Sequence, residues 1–251
     1  MPPTPAPVAH PLLLNATADG RSWKDILVMI TAGPSLAGYW IDNEHWIHGG
    51  VTVQQRVEPE ASTQPFIHPR NAILHSNAGP RKTPWAALVA YMRRKDITGE
   101  PHFQVAGVDA TALTGAALVQ AIPLNRRADC NAKANSWWRN SRRVGAVSFE
   151  SEDRGSSTLD QTPWSLPQLH AIIGALTAIC IVYGVACTEP ATWDGSGIGY
   201  HSRFPEWSIY KGKTCPGAAR IRQMAYVRQA VAENLAKFAH ETGWHCGQGA
   251  A

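Results

Sequence analysis

The stretch Ala72-Ile73-Leu74-His75-Ser76-Asn77 is a short apolar run that ends in a histidine. A run of this length is typical of a buried strand that delivers a side chain at its carboxyl end. A second run, Gly145 to Glu150, has a similar form and ends in a carboxylate. We therefore expect strands at Ala72 to His75 and at Gly145 to Glu150.

The segments around these runs carry helix signals. A helix is expected at Pro84 to Arg94, since proline suits the first helical position. Another is expected from about Leu166 to Tyr183, where apolar residues repeat at helical spacing after the capping residue Ser165. A last helix is expected from about residue 217 to 241. Strands that alternate with helices predict an α/β fold, with helices on the faces of a sheet.

Composition limits the class of protein. The 251 residues are 44% hydrophobic and only 17% charged, which is typical of a globular protein with a sizeable core. The net charge of +4 is mild, so we expect no nucleic-acid partner. The five cysteines are irregularly spaced without a CxxC pair, which does not favour a disulfide framework. The N-terminus lacks a basic signal-peptide region and no apolar run reaches about twenty residues, so neither export nor membrane insertion is expected.

Two later segments add metal-ligand chemistry. Gly199-Tyr-His-Ser202 and Lys213-Thr-Cys-Pro-Gly217 place an imidazole and a thiol a dozen or so residues apart. His75, His201 and Cys215 together fill three tetrahedral positions and leave the fourth for water, the composition expected of catalytic zinc. Each ligand has a plainer alternative when it is taken singly: a strand-end histidine, a turn residue and a small buried hydrophobe.

Six segments in order extend this pattern over roughly residues 65 to 235. They are L-H-S-N at 74 to 77, H-F-Q-V at 102 to 105, 120 to 125, V-S-F-E at 147 to 150, G-I-G-Y-H-S-R-F at 197 to 204 and G-K-T-C-P-G at 212 to 217. Taken together they resemble the zinc-dependent N-acetylmuramoyl-L-alanine amidases of type 2, which share a fold with peptidoglycan recognition proteins. The resemblance is greatest to the amidase modules of mycobacteriophage and other actinobacteriophage endolysins.

This resemblance implies a central mixed β-sheet flanked by helices, a zinc cofactor and peptidoglycan as the substrate. It implies that Glu150 acts as the general base and that Lys213, two positions before Cys215, stabilises the oxyanion. Asn77, His102 and Arg203 are the candidates for substrate contact.

Two positions depart from the family pattern. Pro101 stands where some phage members carry a catalytic tyrosine, so the glutamate-dependent mechanism is expected. Cys130 stands where relatives often have histidine, and the sequence does not indicate its role.

The expected organisation is a flexible Pro-rich arm at 1 to 20, an N-terminal elaboration packed on the core at 21 to 64, and a zinc amidase domain at 65 to 245. We expect a monomer that is made in the host cytoplasm and acts on the cell wall after release. A non-catalytic muropeptide-binding module is the alternative function. A serine or cysteine hydrolase is a third, although no G-x-S-x-G motif supports it.

Overall fold

The computed structural model describes residues 39 to 50, 52 to 54, 64 to 77, 101 to 107, 118 to 152 and 163 to 242. The expected arm at 1 to 20 and the expected helix at Pro84 to Arg94 lie outside these residues. We number the elements of the described part in chain order. The strands are β1 (Trp40–Ile41), β2 (Ile47–His48), β3 (Thr52–Gln54), β4 (His68–Asn77), β5 (Phe103–Val105), β6 (Leu118–Gln120), β7 (Trp137–Arg139), β8 (Arg142–Glu152) and β9 (Gly197–Tyr200). The helices are α1 (Leu166–Tyr183) and α2 (Ala218–Thr242).

Seven of these strands form one mixed sheet in the order β3-β6-β5-β8-β4-β9, with β7 paired to the first residues of β8. Strand β4 lies next to the edge strand β9 and pairs in parallel with β8 on one side and β9 on the other. The β5–β6 and β7–β8 pairs are antiparallel. The mixed sheet flanked by helices is therefore confirmed.

Alternation along the strands gives the sheet two different faces. Leu74 and Phe149 point into the main core, which α1 and α2 complete, and we call this the helix face. Ile73 points the other way and packs with Ala146 and Trp207. We call this second face the site face, because the side chains discussed below lie on it.

Helix α1 is the apolar centre of the molecule. Ser165 caps it by accepting a hydrogen bond from the Gln168 backbone N–H at 3.4 Å, within a capping box, and Gly184 ends it in the left-handed conformation with φ 68°. The helix is long and apolar enough to cross a membrane, but 78% of it is buried inside the protein. This confirms the sequence interpretation of the segment as a core helix.

The described residues 39 to 50 and 52 to 54 contribute to the main core and to the large sheet. Tyr39, Ile41 and Ile47 belong to the main core. Strand β3 pairs in parallel with β6 and so forms one edge of the large sheet. The described part of the N-terminal elaboration is thus built into the sheet and the core.

Candidate metal and catalytic site

The parallel register of β4 and β8 sets His75 and Glu150 side by side. Both residues lie on the site face near the carboxyl ends of their strands. His75 Nδ1 is 3.5 Å from a Glu150 carboxylate oxygen. Two strands that are far apart in sequence therefore bring an imidazole and a carboxylate together.

The other neighbour of β4 delivers the second imidazole. In the β4–β9 pair Leu74 lies opposite Tyr200, and His201 follows directly in a 3-10 helix. The His75 and His201 rings have centroids 4.3 Å apart. Gly199 lets the Trp207 ring pack directly against β9, because a Cβ at this position would lie only 2.5 Å from that ring.

Cys215 reaches the site from the loop before α2. Its backbone carbonyl accepts a hydrogen bond from the Ser202 N–H at 2.9 Å, which ties the loop to the turn that carries His201. Its sulfur accepts one from the Ser76 N–H at 3.1 Å. Because a backbone donor stabilises negative charge on sulfur, this contact favours the thiolate that a metal requires.

The predicted ligands converge. One ligand atom from each of His75, His201 and Cys215 lies within 4.8 Å of the other two, and all three residues are buried. Zinc binds nitrogen and sulfur at about 2.0 to 2.3 Å in a tetrahedral arrangement. The three atoms are therefore close enough to share one such ion after small side-chain movements.

One ring nitrogen of each histidine is free to bind a metal ion at this point. Within the described residues, His201 Nε2 is buried without a hydrogen-bond partner. His75 Nε2 bonds to Asn131 Oδ1 at 2.7 Å. Since that oxygen can only accept, His75 is protonated on Nε2 and its Nδ1 keeps a lone pair for a ligand bond.

Asn131 is a site residue that sequence reasoning missed. It is fully buried, and its backbone N–H donates to Asn135 Oδ1 at 2.6 Å. It lies 56 positions from His75 in the chain, and no motif connects the two. Its neighbour Cys130 is also close to the site. Burial raises the pKa of the Cys130 thiol, and the nearby Glu150 and Cys215 raise it further.

Burial controls the protonation of the ligands. It lowers the pKa of His75 well below its ordinary value, with a further contribution from His201. It lowers the pKa of His201 to about 4, assisted by the positive charge of Lys213. Burial and the Glu150 carboxylate raise the pKa of Cys215 to about 12. In the metal-free protein near neutral pH, the imidazoles are therefore neutral and the sulfur carries its proton.

Glu150 combines burial with an available oxygen. Burial raises its pKa to about 8, although the positive charges of Lys213 and Arg220 oppose that change. Its Oε2 atom is buried and has no hydrogen-bond partner among the described residues. The carboxylate beside the candidate metal position can therefore exchange a proton near neutral pH.

Lys213 is exposed, and its ammonium lies 5.2 Å from the centre of the Tyr210 ring. Its charge acts on the pKa of His75, His201, Cys215 and Glu150. A groove of roughly 620 Å³ runs from His201 to Lys213 and has Ile209 and Tyr210 on its wall. The site is therefore open on the side where Lys213 stands.

The three candidate substrate contacts lie in different environments. His102 is fully buried, and its ring nitrogens bond to Ser148 and to the Arg126 carbonyl, the latter at 2.8 Å. His102 therefore has no exposed surface and both of its ring nitrogens are bonded inside the protein, and its contact with a substrate stays a prediction. Arg203 is exposed and its Nε donates to Glu189. Asn77 is the last residue of β4, opposite Glu152.

Comparison with known proteins found similarity among solved structures. No family model matches the sequence, and no curated protein matches it. The chain is similar to the endolysin N-acetylmuramoyl-L-alanine amidase LysCS from Clostridium intestinale URNW, with a TM-score of 0.49 and 12% identity over 74% of this chain and 97% of that one. It is also similar to the catalytic domain of XlyA, with a TM-score of 0.46 and 16% identity over 72% and 98%. A third is the Staphylococcus aureus hydrolase AmiA, with a TM-score of 0.46 and 13% identity over 78% and 87%.

Proposed function

We propose that this protein is a zinc-dependent N-acetylmuramoyl-L-alanine amidase that cuts the amide between the lactyl group of N-acetylmuramic acid and L-alanine in peptidoglycan. The observation that carries the proposal is the meeting of His75, His201 and Cys215 within 4.8 Å of one another, with Glu150 beside them. The choice of substrate follows the six sequence segments that resemble type 2 amidases.

The donor set suits zinc, since two neutral imidazoles and one thiolate are ligands of that ion. When bound, zinc lowers the pKa of a coordinated water and polarises a carbonyl. His75, His201 and Cys215 would hold the ion and leave one position for a further ligand, and a groove lined by His201 and Lys213 lies beside them.

Glu150 is the general base in this proposal. Its carboxylate takes the proton of the attacking water and passes it to the departing amine. An amide nitrogen needs that proton, because it does not leave as an anion. A pKa of about 8 in the metal-free protein suits a group that both accepts and donates a proton.

Lys213 supplies positive charge at the open side of the site. Its ammonium stabilises the oxyanion that forms when water adds to the carbonyl. Preorganised groups of this kind contribute about 3 to 4 kcal/mol in hydrolytic enzymes.

Mass spectrometry of digested sacculi, together with metal analysis, tests the proposal. We expect about one zinc per chain and new stem peptides that begin with a free L-alanine amine. A chelator stops their release and added zinc restores it. His201→Ala and Cys215→Ala lose both zinc and activity, whereas Cys187→Ala, which changes a thiol that is not a ligand, keeps both.

Two other outcomes would contradict the proposal. Retention of glycopeptide without release of stem peptides identifies a muropeptide-binding module. Release that continues in the presence of a chelator identifies a serine or cysteine hydrolase.

The biological role that we propose is that of a phage endolysin, made in the host cytoplasm and acting on the wall after release. The support for this role is the resemblance to actinobacteriophage lysins. Expression in a sensitive host tests it: lysis is expected only after the membrane is permeabilised, and the Cys215→Ala variant causes none.

A further inference from the structure

A buried arginine lies behind the site, on the helix face of the sheet. Arg220 is in the first turn of α2, five residues after Cys215, and only 1% of its surface is exposed. Its guanidinium donates to three acceptors: the Ser151 carbonyl at 3.2 Å, the Ser151 hydroxyl at 2.9 Å and the Glu152 carbonyl at 2.7 Å. The guanidinium therefore holds the backbone of β8 directly after Glu150.

The Ser151 hydroxyl extends this contact to the next strand. It accepts from Arg220 and from Trp164 Nε1, the latter at 2.8 Å, and it donates to the His75 carbonyl at 2.5 Å. A hydroxyl has one donor and two acceptor positions, and here all three are used. Since arginine and tryptophan can only donate, the hydroxyl hydrogen has to point at His75.

We propose that Arg220 is a positioning residue of the metal site, acting through Ser151 on the backbone of His75 and through β8 on Glu150. The guanidinium fits this role because its planar fork offers several donors in a fixed geometry. A lysine at the same place offers one rotating ammonium and cannot hold three acceptors in the same way.

The network adds a second connection between the elements that carry the site, beside the direct β4–β8 pairing and the contacts of the Cys215 loop. Cys215 lies in the loop that leads into α2, Glu150 is on β8 and His75 is on β4. Arg220, as part of the helix that follows the Cys215 loop, bonds to the strand of Glu150 and, through Ser151, to the strand of His75. One side chain thus relates the positions of two proposed metal ligands and the proposed base.

Zinc affinity tests this role without reference to any substrate. Metal-site partners of this kind change affinity or activity by about 10- to 100-fold when they are removed. We therefore expect Ser151→Ala and Arg220→Lys each to weaken zinc binding by about tenfold or more. The absorption spectrum of the cobalt-substituted protein should change as well, because the ligand geometry around the ion changes.

Val231→Ala is the matched control. Val231 lies on the same helix, about three turns after Arg220, and is fully buried in the main core. We expect this variant to lose stability while its zinc affinity and cobalt spectrum stay those of the wild type. The positioning role is wrong if Ser151→Ala and Arg220→Lys behave in the same way as Val231→Ala.

Kinetics and a double variant add two further readouts. Because Arg220 lies on the face away from the groove, the variants should lower kcat and leave KM unchanged; this part rests on the proposed amidase function. The double variant of Ser151→Ala and Arg220→Lys should lose less free energy of zinc binding than the two single variants lose in total. Both changes interrupt the same hydrogen-bond network, so their effects are not additive. If the wild-type protein binds zinc but cleaves no peptidoglycan, the proposed amidase function is wrong. The zinc-affinity measurements still test the positioning role of Arg220 in that case.

Discussion

The His75 ring is positioned by several separate segments of the chain. Asn131 binds Nε2, Glu150 lies beside Nδ1, His201 packs against the ring, and the Ser151 hydroxyl holds the carbonyl of the same residue. A ligand that is oriented before the metal arrives loses little conformational freedom on binding. His75 is thus oriented by its protein surroundings, and the residues that orient it can be tested one at a time.

Replacement of Glu150 by glutamine separates the proposed base from the metal ligands. We expect Glu150→Gln to keep zinc and to lose about 10²- to 10⁴-fold in kcat, since that is the usual contribution of a general base. Measurements of kcat alongside zinc content check this. Glu206→Gln is the control, because Glu206 lies in an adjoining groove with Lys133 and Ile209 on its wall. If Glu150→Gln is as active as the Glu206→Gln control, another group is the base.

Proton release on zinc binding checks the ionisation of the site. The pKa of Cys215 is raised to about 12 and that of Glu150 to about 8, so at pH 7 both carry protons in the metal-free protein. A bound dication favours the charged form of each, so each group gives up its proton. The pKa of His201 is lowered to about 4, so that ring has no proton to lose at pH 7.

The wild type should therefore release about one proton more than Glu150→Gln at pH 7. This difference should disappear as the pH rises above about 8, because Glu150 is then already ionised before zinc binds. Calorimetry in buffers of different ionisation enthalpy measures the count. A difference that stays constant up to pH 9.5 would show that the pKa of Glu150 is not the one described.

At the scale of elements, the N-terminus of α1 connects the main helix to the strand of the site. Ser165 caps the helix, and Gln168 in its first turn donates to the Glu152 carbonyl at 3.0 Å. Ser165→Ala removes the cap, and we expect the free energy of unfolding to fall by about 1 kcal/mol. For a chain of this size that is a loss of about 2 to 4 °C in Tm.

Ser165→Asp is the control for this change, because aspartate is an equally good cap and its charge suits a helix N-terminus. In thermal unfolding, the Tm of Ser165→Asp should be close to that of the wild type, and the Tm of Ser165→Ala should be lower. Equal Tm values for alanine and serine at this position would mean that the cap contributes nothing to stability.

At the scale of the whole molecule, the segment before β4 belongs to the main core. Ile47 has no exposed surface, and its backbone N–H donates to Gln120 Oε1 at 2.6 Å. We expect Ile47→Ala to lower the free energy of unfolding by about 2 to 5 kcal/mol, the usual cost of such a cavity. Denaturant unfolding should also show a single transition, since Tyr39, Ile41 and Ile47 share one core with the helices and the large sheet.

Ile209→Ala is the matched control, because 77% of the surface of Ile209 is exposed. The same chemical change there should leave stability unaltered within about 0.5 kcal/mol. The N-terminal segment is an independent unit if Ile47→Ala and Ile209→Ala lower the free energy of unfolding by the same amount, or if two separate transitions appear.

Periodicity and caps in the sequence were enough to predict both described helices and the positions of β4 and β8. The helix expected from about Leu166 to Tyr183 has those bounds in the structure, and the last helix, expected from about residue 217 to 241, spans Ala218–Thr242. The strands were placed correctly but too short, since β4 and β8 extend to His68–Asn77 and Arg142–Glu152. The prediction stopped where the apolar run gives way to polar residues. The strands themselves continue, because their backbones still pair with a neighbouring strand there.

The sequence by itself determined the three candidate metal ligands, because an imidazole or a thiol in a motif is visible without its neighbours. Only the tertiary structure decided which residues orient them. Asn131, Ser151 and Arg220 act through hydrogen bonds that span 56 to 76 positions of the chain. It also decided that His102 is internal, because burial depends on the packing of distant segments. The residue type alone says what a side chain can bind. Its partners in the protein depend on strand register and helix packing, which bring distant parts of the chain together.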